Sequence, residues 1–300
     1  MPVTPAKRRL RRLLRWGGAI AVVLIVAIGA GALWMGSKLV APAPSAVGSP
    51  PGDLALEVVT IPSESGSTLA GWFGRAVNER GVIVLLHPNR GSRLSMLGRA
   101  RLLLKHHYSV LLIDMQAHGE SPGEHITAGW LERLDAKAAV AFAKERCPGK
   151  PVAALGISLG GAAILLASPL EVDAVIIESV YPTIDEAVTN RVRMRLGFVA
   201  PMFAELLLMQ IEPRLGIPRS ALRPIDHIAD LGCPLLVIAG SADEHTTLAE
   251  SRRMFDAAVE PKAMMVVEGA AHVDLLEVSP GMYEKKVIEF LNVHLNDARE

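Results

Sequence analysis

The sequence predicts an α/β domain built on a doubly wound, mostly parallel sheet, preceded by one N-terminal transmembrane helix. Three observations carry this reading. After Gly81 short, continuous apolar runs (residues 82–86, 110–114, 152–157, 174–177, 235–239 and 264–267) alternate with longer stretches. That alternation marks parallel strands covered on both faces by crossover helices, which right-handed connections wind into one sheet. Residues 16–36 carry no charged side chain. Finally, 300 residues with half of them apolar suffice for one sizeable core but not for two large domains.

The chain divides into a basic arm (1–15), a membrane span (16–37), a linker (38–53) and a folded domain (54–300). Lys7, Arg8, Arg9, Arg11, Arg12 and Arg15 give the arm six positive charges and no acid, so the remainder of this formally neutral chain is acidic. An acidic body argues against nucleic acid as a partner, because binding to a phosphate backbone needs a basic face. About twenty uncharged residues span roughly 30 Å of hydrocarbon, and Trp16 and Trp34 stand near the two ends, where indoles favour the headgroup region. Positive charge ahead of the span predicts a cytoplasmic N-terminus and a domain outside, periplasmic or extracellular. The competing reading is a cleaved signal peptide, since small residues follow between Ala41 and Ala46. The Pro-, Ala- and Ser-rich residues 41–51 read as a semi-rigid linker leading away from the membrane.

Within the domain, residues 55–61 and 68–75 alternate apolar and polar side chains around a Ser-rich turn, as an antiparallel hairpin does. Helical spacing follows over residues 93–107, 130–146, 162–167 and 283–295. The interval between Ile177 and Leu235 is too long for one crossover. Residues 182–230 are therefore a candidate helical cap, with Phe198, Met202, Phe203 and Leu206 on one apolar face; a helix packed on the domain's flank is the alternative. Cys147 and Cys233 are too few for a disulfide framework and read as free thiols, with a single bridge as the alternative.

Gly156-Ile157-Ser158-Leu159-Gly160 matches G-x-S-x-G directly after an apolar strand, where the turn lifts a serine oxygen to the carboxyl end of the sheet. A serine hydroxyl needs a base, and His272 follows the last strand. The base needs a carboxylate to fix its tautomer, and Asp243 follows the preceding strand; Glu244 and Glu178 are the alternatives. Backbone N–H groups of Leu159 and of Asn89, in the loop His87-Pro88-Asn89 after an earlier strand, complete an oxyanion hole. Pro88 itself has no N–H to offer.

These residues resemble the α/β-hydrolase superfamily, in particular its small-cap serine hydrolases of the serine aminopeptidase and monoacylglycerol lipase branch. The resemblance covers residues 54–295 and extends to Asp114-Met115-Gln116-Ala117-His118-Gly119-Glu120-Ser121, which looks like that family's D-x-R-G-H-G-x-S loop. It includes Arg223-Pro224-Ile225-Asp226 with Cys233-Pro234, similar to the lead-in to the acid-bearing strand. Pro88 and Gln116 depart from the family's Gly and Arg. The resemblance implies a structural role for His118. The combined expectation is acyl transfer to water on a small, apolar acyl substrate, without metal or organic cofactor. Carboxylesterase or lipase activity is favoured over thioesterase or aminopeptidase. A membrane-tethered binding protein with a silent hydrolase fold is the rival from another class.

Overall fold

The computed structural model describes residues 5–295. It opens with α1 (Pro5–Val40), a single helix whose stretch Leu13–Val40 contains an 18-residue window of mean hydropathy 2.4, long and apolar enough to cross a membrane. The domain behind it is organised by an eight-stranded sheet. β1 (Leu56–Pro62) and β2 (Thr68–Gly74) form the expected hairpin. They are followed by β3 (Gly81–Leu86), β4 (Tyr108–Ile113), β5 (Val152–Ile157), β6 (Ala174–Glu178), β7 (Leu235–Gly240) and β8 (Lys262–Val267). The spatial order is β8-β7-β6-β5-β3-β4-β2-β1, and every pairing is parallel except those that β2 makes with β1 and β4. Strands β3, β4, β6 and β7 are buried at every residue, which is why they read as unbroken apolar runs, whereas edge strand β8 is only half-buried.

The helices that follow are α2 (Leu97–Lys105), α3 (Glu132–Arg146), α4 (Leu159–Leu166), α5 (Ile184–Leu196), α6 (Ala200–Leu208), α7 (Ile211–Leu215), α8 (Leu248–Ala257), α9 (Leu275–Val278) and α10 (Pro280–His294). α3, α4 and α8 bury one face of the sheet through Ala139, Ala162 and Met254; α2 and α10 bury the other through Leu103, Val287 and Leu291. Helix α8 was not expected, although its start is written in the chain: Thr247 and Glu250 form a reciprocal capping box. Between β6 and β7, α5, α6 and α7 form a separate small core around Ala204, Leu208 and Leu222.

The expected linker does not stand free of the domain. Ala43 and Pro44 pair in parallel with His118 and Gly119, Ile126 N–H donates to Val40 O at 2.9 Å, and Val47 and Gly48 N–H donate to Glu120 at 3.1 and 3.0 Å. The reason is that the loop after β4 offers unpaired backbone groups and a carboxylate, and the strap satisfies them. Both cysteines are free, and burial pushes their thiols up to about 11.

Arg99 of α2 fastens one face of the sheet. Its guanidinium bonds Glu178, the last residue of β6, at 2.8 and 2.6 Å, and Asp274, the N-cap of α9, at 3.0 Å, while Tyr283 of α10 donates its O–H to Glu178. Removing one partner of a buried pair leaves an uncompensated charge. Arg99→Met is therefore expected to cost about 3–5 kcal/mol. Adding Glu178→Gln should recover part of that loss, and melting curves of both variants check the pair.

Candidate active site

Strand β5 ends at Ile157 and α4 begins at Leu159, which leaves Ser158 alone to reverse the backbone. Its φ of 49° and ψ of −109° lie in a region that side chains other than glycine rarely adopt, and its N–H is held by Glu178 O of the neighbouring strand at 2.8 Å. Glycine is required on either side. A Cβ at Gly156 would overlap the backbone of Gly160 and Gly161, and one at Gly160 would overlap the Leu86 carbonyl at the end of β3. Helix α4 therefore starts at Leu159, three residues earlier than the apolar spacing indicated, and its first N–H has no intrahelical acceptor.

Asp243 follows β7 and is 4% exposed. Its Oδ1 accepts the His245 and Thr246 N–H groups at 2.8 and 2.9 Å, and its Oδ2 lies 2.7 Å from Nδ1 of His272, which follows β8. Burial works against the carboxylate. The His272 hydrogen bond and charge and the two backbone donors outweigh it, holding the carboxyl below its ordinary 3.8. The structure separates Asp243 from both alternatives: Glu244 is exposed, and Glu178 is committed to Arg99. His245 stacks on His272 with ring centroids 4.6 Å apart. Ser158, Asp243 and His272 all follow carboxyl ends of parallel strands, so they lie along the same edge of the sheet. Among the described residues Ser158 and His272 do not share a hydrogen bond; such links often tighten only around a bound substrate.

The loop after β3 is set by His87. Because a backbone N–H can only donate, Met115 N–H at 3.0 Å makes Nε2 the acceptor and leaves the proton on Nδ1, which donates to Pro88 O at 2.8 Å. Burial and the adjacent His118 ring, 5.0 Å away, push the His87 pKa down to about 3, so the imidazole is neutral at ordinary pH and keeps Nε2 free to accept. Pro88 O also accepts Gly91 N–H at 3.0 Å, closing a turn with the exposed Asn89 on its rim. Gln116, standing where the family has Arg, bonds Glu132 at 2.7 Å and His125 O at 2.8 Å; Arg93 takes up Asp114 instead.

A cavity of about 120 Å³ is lined by Ser158, Leu159 and Asn89 together. The cap forms much of its wall through Ile184, Val188, Leu207 and Ile211, so the cap lies over the serine and not on the flank. The face expected to do this does not: Phe198 is 95% and Met202 61% exposed, and neither they nor Phe203 and Leu206 line the cavity. Periodicity identified the helix; a break at residues 197–199 sets which side of it faces inward. Asn190 of α5 ties the cap to the acid loop, bonding Glu250 at 2.8 Å and His245 O at 3.3 Å. Two further contributors have no motif to announce them. Arg191 of α5 lines the cavity, with its guanidinium donating to Ala187 O at 2.8 Å, and Gly36, Leu39 and Val40 close one side from α1. Among the described residues no group of three His, Cys, Asp or Glu side chains is placed to hold a metal ion.

The alpha/beta hydrolase family model matches residues 83–282, and the chain belongs to that family. It is 31% identical over 271 residues to the uncharacterized protein Rv2307c of Mycobacterium tuberculosis, covering 85% of this chain and 89% of that one. With the uncharacterized protein YqkD of Bacillus subtilis it shares 23% identity over 245 residues, 80% of each chain. Among solved structures, the Pyrococcus furiosus esterase Pf2001 superposes with a TM-score of 0.72 at 25% identity, covering 86% of this chain and 98% of that one. Est1E of Butyrivibrio proteoclasticus, solved with ferulic acid, shares the fold at a TM-score of 0.61 and 17% identity, covering 79% of this chain and 98% of that one.

The turn at Ser158 has a direct test. Gly160→Ala forces its methyl against a backbone carbonyl that cannot rotate away, and overpacking of this kind typically costs about 1–3 kcal/mol. The expected result is a lowered melting temperature, while Gly281→Ala, where nothing lies within 4 Å, leaves it near that of the parent.

Proposed function

We propose that this protein is a membrane-anchored serine hydrolase that transfers the acyl group of an ester to water. The observation that supports it best is the hydrogen-bonded Asp243–His272 pair on the same sheet edge as Ser158, whose backbone is held in the strained turn. In this reading His272 Nε2 accepts the Ser158 proton as Oγ attacks the carbonyl carbon. Asp243 holds the Nδ1 tautomer and stabilises the imidazolium. The N–H groups of Leu159 and Asn89 receive the negative oxygen, and His272 then protonates the leaving alcohol. Water, deprotonated by the same histidine, releases the acid and restores Ser158.

The apolar cap wall favours an acyl chain over a peptide, and the Pyrococcus esterase is a relative consistent with ester cleavage. The helix α1 serves as a retained anchor with the N-terminus in the cytoplasm, because six basic residues precede the apolar stretch and only Lys38 closely follows it.

Ser158→Ala is expected to abolish labelling by a fluorophosphonate and to cut turnover by several orders of magnitude. Asp243→Asn should be severely impaired and Glu244→Gln nearly normal. A well-folded Ser158→Ala protein with near-parent activity would refute the mechanism. The pH profile has a definite sign. Asp243 is held below its ordinary 3.8, so it stays ionised well into acid, and the stability it lends is present above that value and lost only as pH falls through the depressed one. The melting temperature should accordingly hold through mildly acidic pH as far as this carboxylate is concerned, and fall only in stronger acid.

A further inference from the structure

We propose, resting on the acyl-hydrolase reading above, that the substrate is a long-chain acyl ester taken directly from the membrane leaflet beside the domain, and that α1 forms part of its binding pocket. The helix does more than tether. Gly29, Ala32, Gly36 and Val40 are the partly or fully covered positions of its outer half, recurring every three or four residues along one face. That face docks on the cap: Gln210 donates to Ala32 O at 3.1 Å, Arg214 donates to Leu33 O at 2.7 Å, and a Cβ at Gly36 would strike the Gln210 amide. Small side chains let the two backbones approach. The same turn then places Gly36, Leu39 and Val40 in the cavity wall with Ser158.

The length of α1 fixes the height of this arrangement. Twenty residues from Trp16, the first position after the last arginine of the arm, cover about 30 Å, the thickness of the hydrocarbon, and end at Met35, within the segment docked on the cap. Trp34, 61% exposed, falls at the headgroup level that indoles prefer. The cavity wall at residues 36–40 therefore begins at the outer edge of the hydrocarbon. The cap element that packs on α1 leaves Phe198, Met202 and Met209 exposed at helical spacing, beside exposed Arg193 and Arg195. Exposed apolar side chains with arginines nearby in the chain are the composition that a leaflet surface takes up, and the element bearing them packs on the helix that crosses that leaflet. A chain leaving that leaflet would pass along α1 to reach Ser158.

The test uses the full-length protein in nanodiscs of phosphatidylcholine and phosphatidylglycerol, with an oleoyl umbelliferyl ester dissolved in the same bilayer and an acetyl umbelliferyl ester in the buffer. The Phe198→Asp/Met202→Asp variant is expected to lower the oleoyl-to-acetyl ratio of kcat/KM by about tenfold or more, since two buried apolar side chains are lost from the leaflet. Leu39→Trp, narrowing the pocket from the α1 side, should lower the same ratio. An unchanged ratio in either variant overturns the proposal while leaving the hydrolase reading intact. Turnover of neither ester, together with absent fluorophosphonate labelling of Ser158, would overturn both.

Discussion

Everything at the site depends on how one residue reverses the backbone between a buried strand and a buried helix. Ser158 occupies φ 49° with no glycine to relieve it, and it stays there because its N–H is bonded to Glu178 O and the turn is packed against Leu86 O through Gly160. Such a conformation costs on the order of 1–3 kcal/mol and persists only where the surroundings over-determine it. The surroundings here are strands β3 and β6 on either side of β5, and β6 is itself secured by the Arg99–Glu178 pair. The strain is thus held by the core, at a distance from any substrate.

From that centre the other parts are placed by topology. The parallel strands deliver Asn89, Ser158, Asp243 and His272 to one edge, and short local bonds then orient each group: Thr246 and His245 N–H on Asp243, and Met115 N–H on His87. A second set of bonds runs outward from the loop after β4. Asp114 accepts the Arg93 and Glu120 N–H groups at 2.6 and 2.9 Å, and Glu120 in turn holds Val47 and Gly48. The strap that follows α1 is in this way connected to the framework that carries the candidate site, so α1 and the Ser158 edge of the sheet are positioned by one network.

Where the apolar cap and the apolar helix meet beside the cavity, Gln210 and Arg214 donate to carbonyls of α1, Arg214 also donates to Gln210, and Gln210 donates to Leu206 O of its own segment at 2.6 Å. Carbonyls inside a helix are already engaged with N–H groups four residues on, so these are second bonds to the remaining lone pairs. They fix the rotation of α1 about its axis. With that rotation, the small side chains of α1 face the cap and Leu39 and Val40 reach the cavity.

The sequence by itself determined the parallel sheet, the hairpin at its edge and the membrane-length helix, and it singled out Ser158, Asp243, His272, Asn89 and Leu159 as candidates, because each is announced locally: by a run of apolar residues, by a glycine that a turn requires, or by a position just after a strand. Tertiary structure decided what depends on two segments meeting. Residues 41–48 look like a linker until the loop after β4 supplies partners for their backbone. Phe203 and Leu206 have the same periodicity as Leu207 and Ile211, and only the break at residues 197–199 and the docking of α1 choose which of them face Ser158. Glu178 ends β6 and Asp243 stands three residues beyond β7, and Arg99, far away in sequence, engages the first of these carboxylates while His272 meets the second. Local pattern sets what a segment can become, whereas the direction a side chain finally faces is set by partners that no short window of sequence contains.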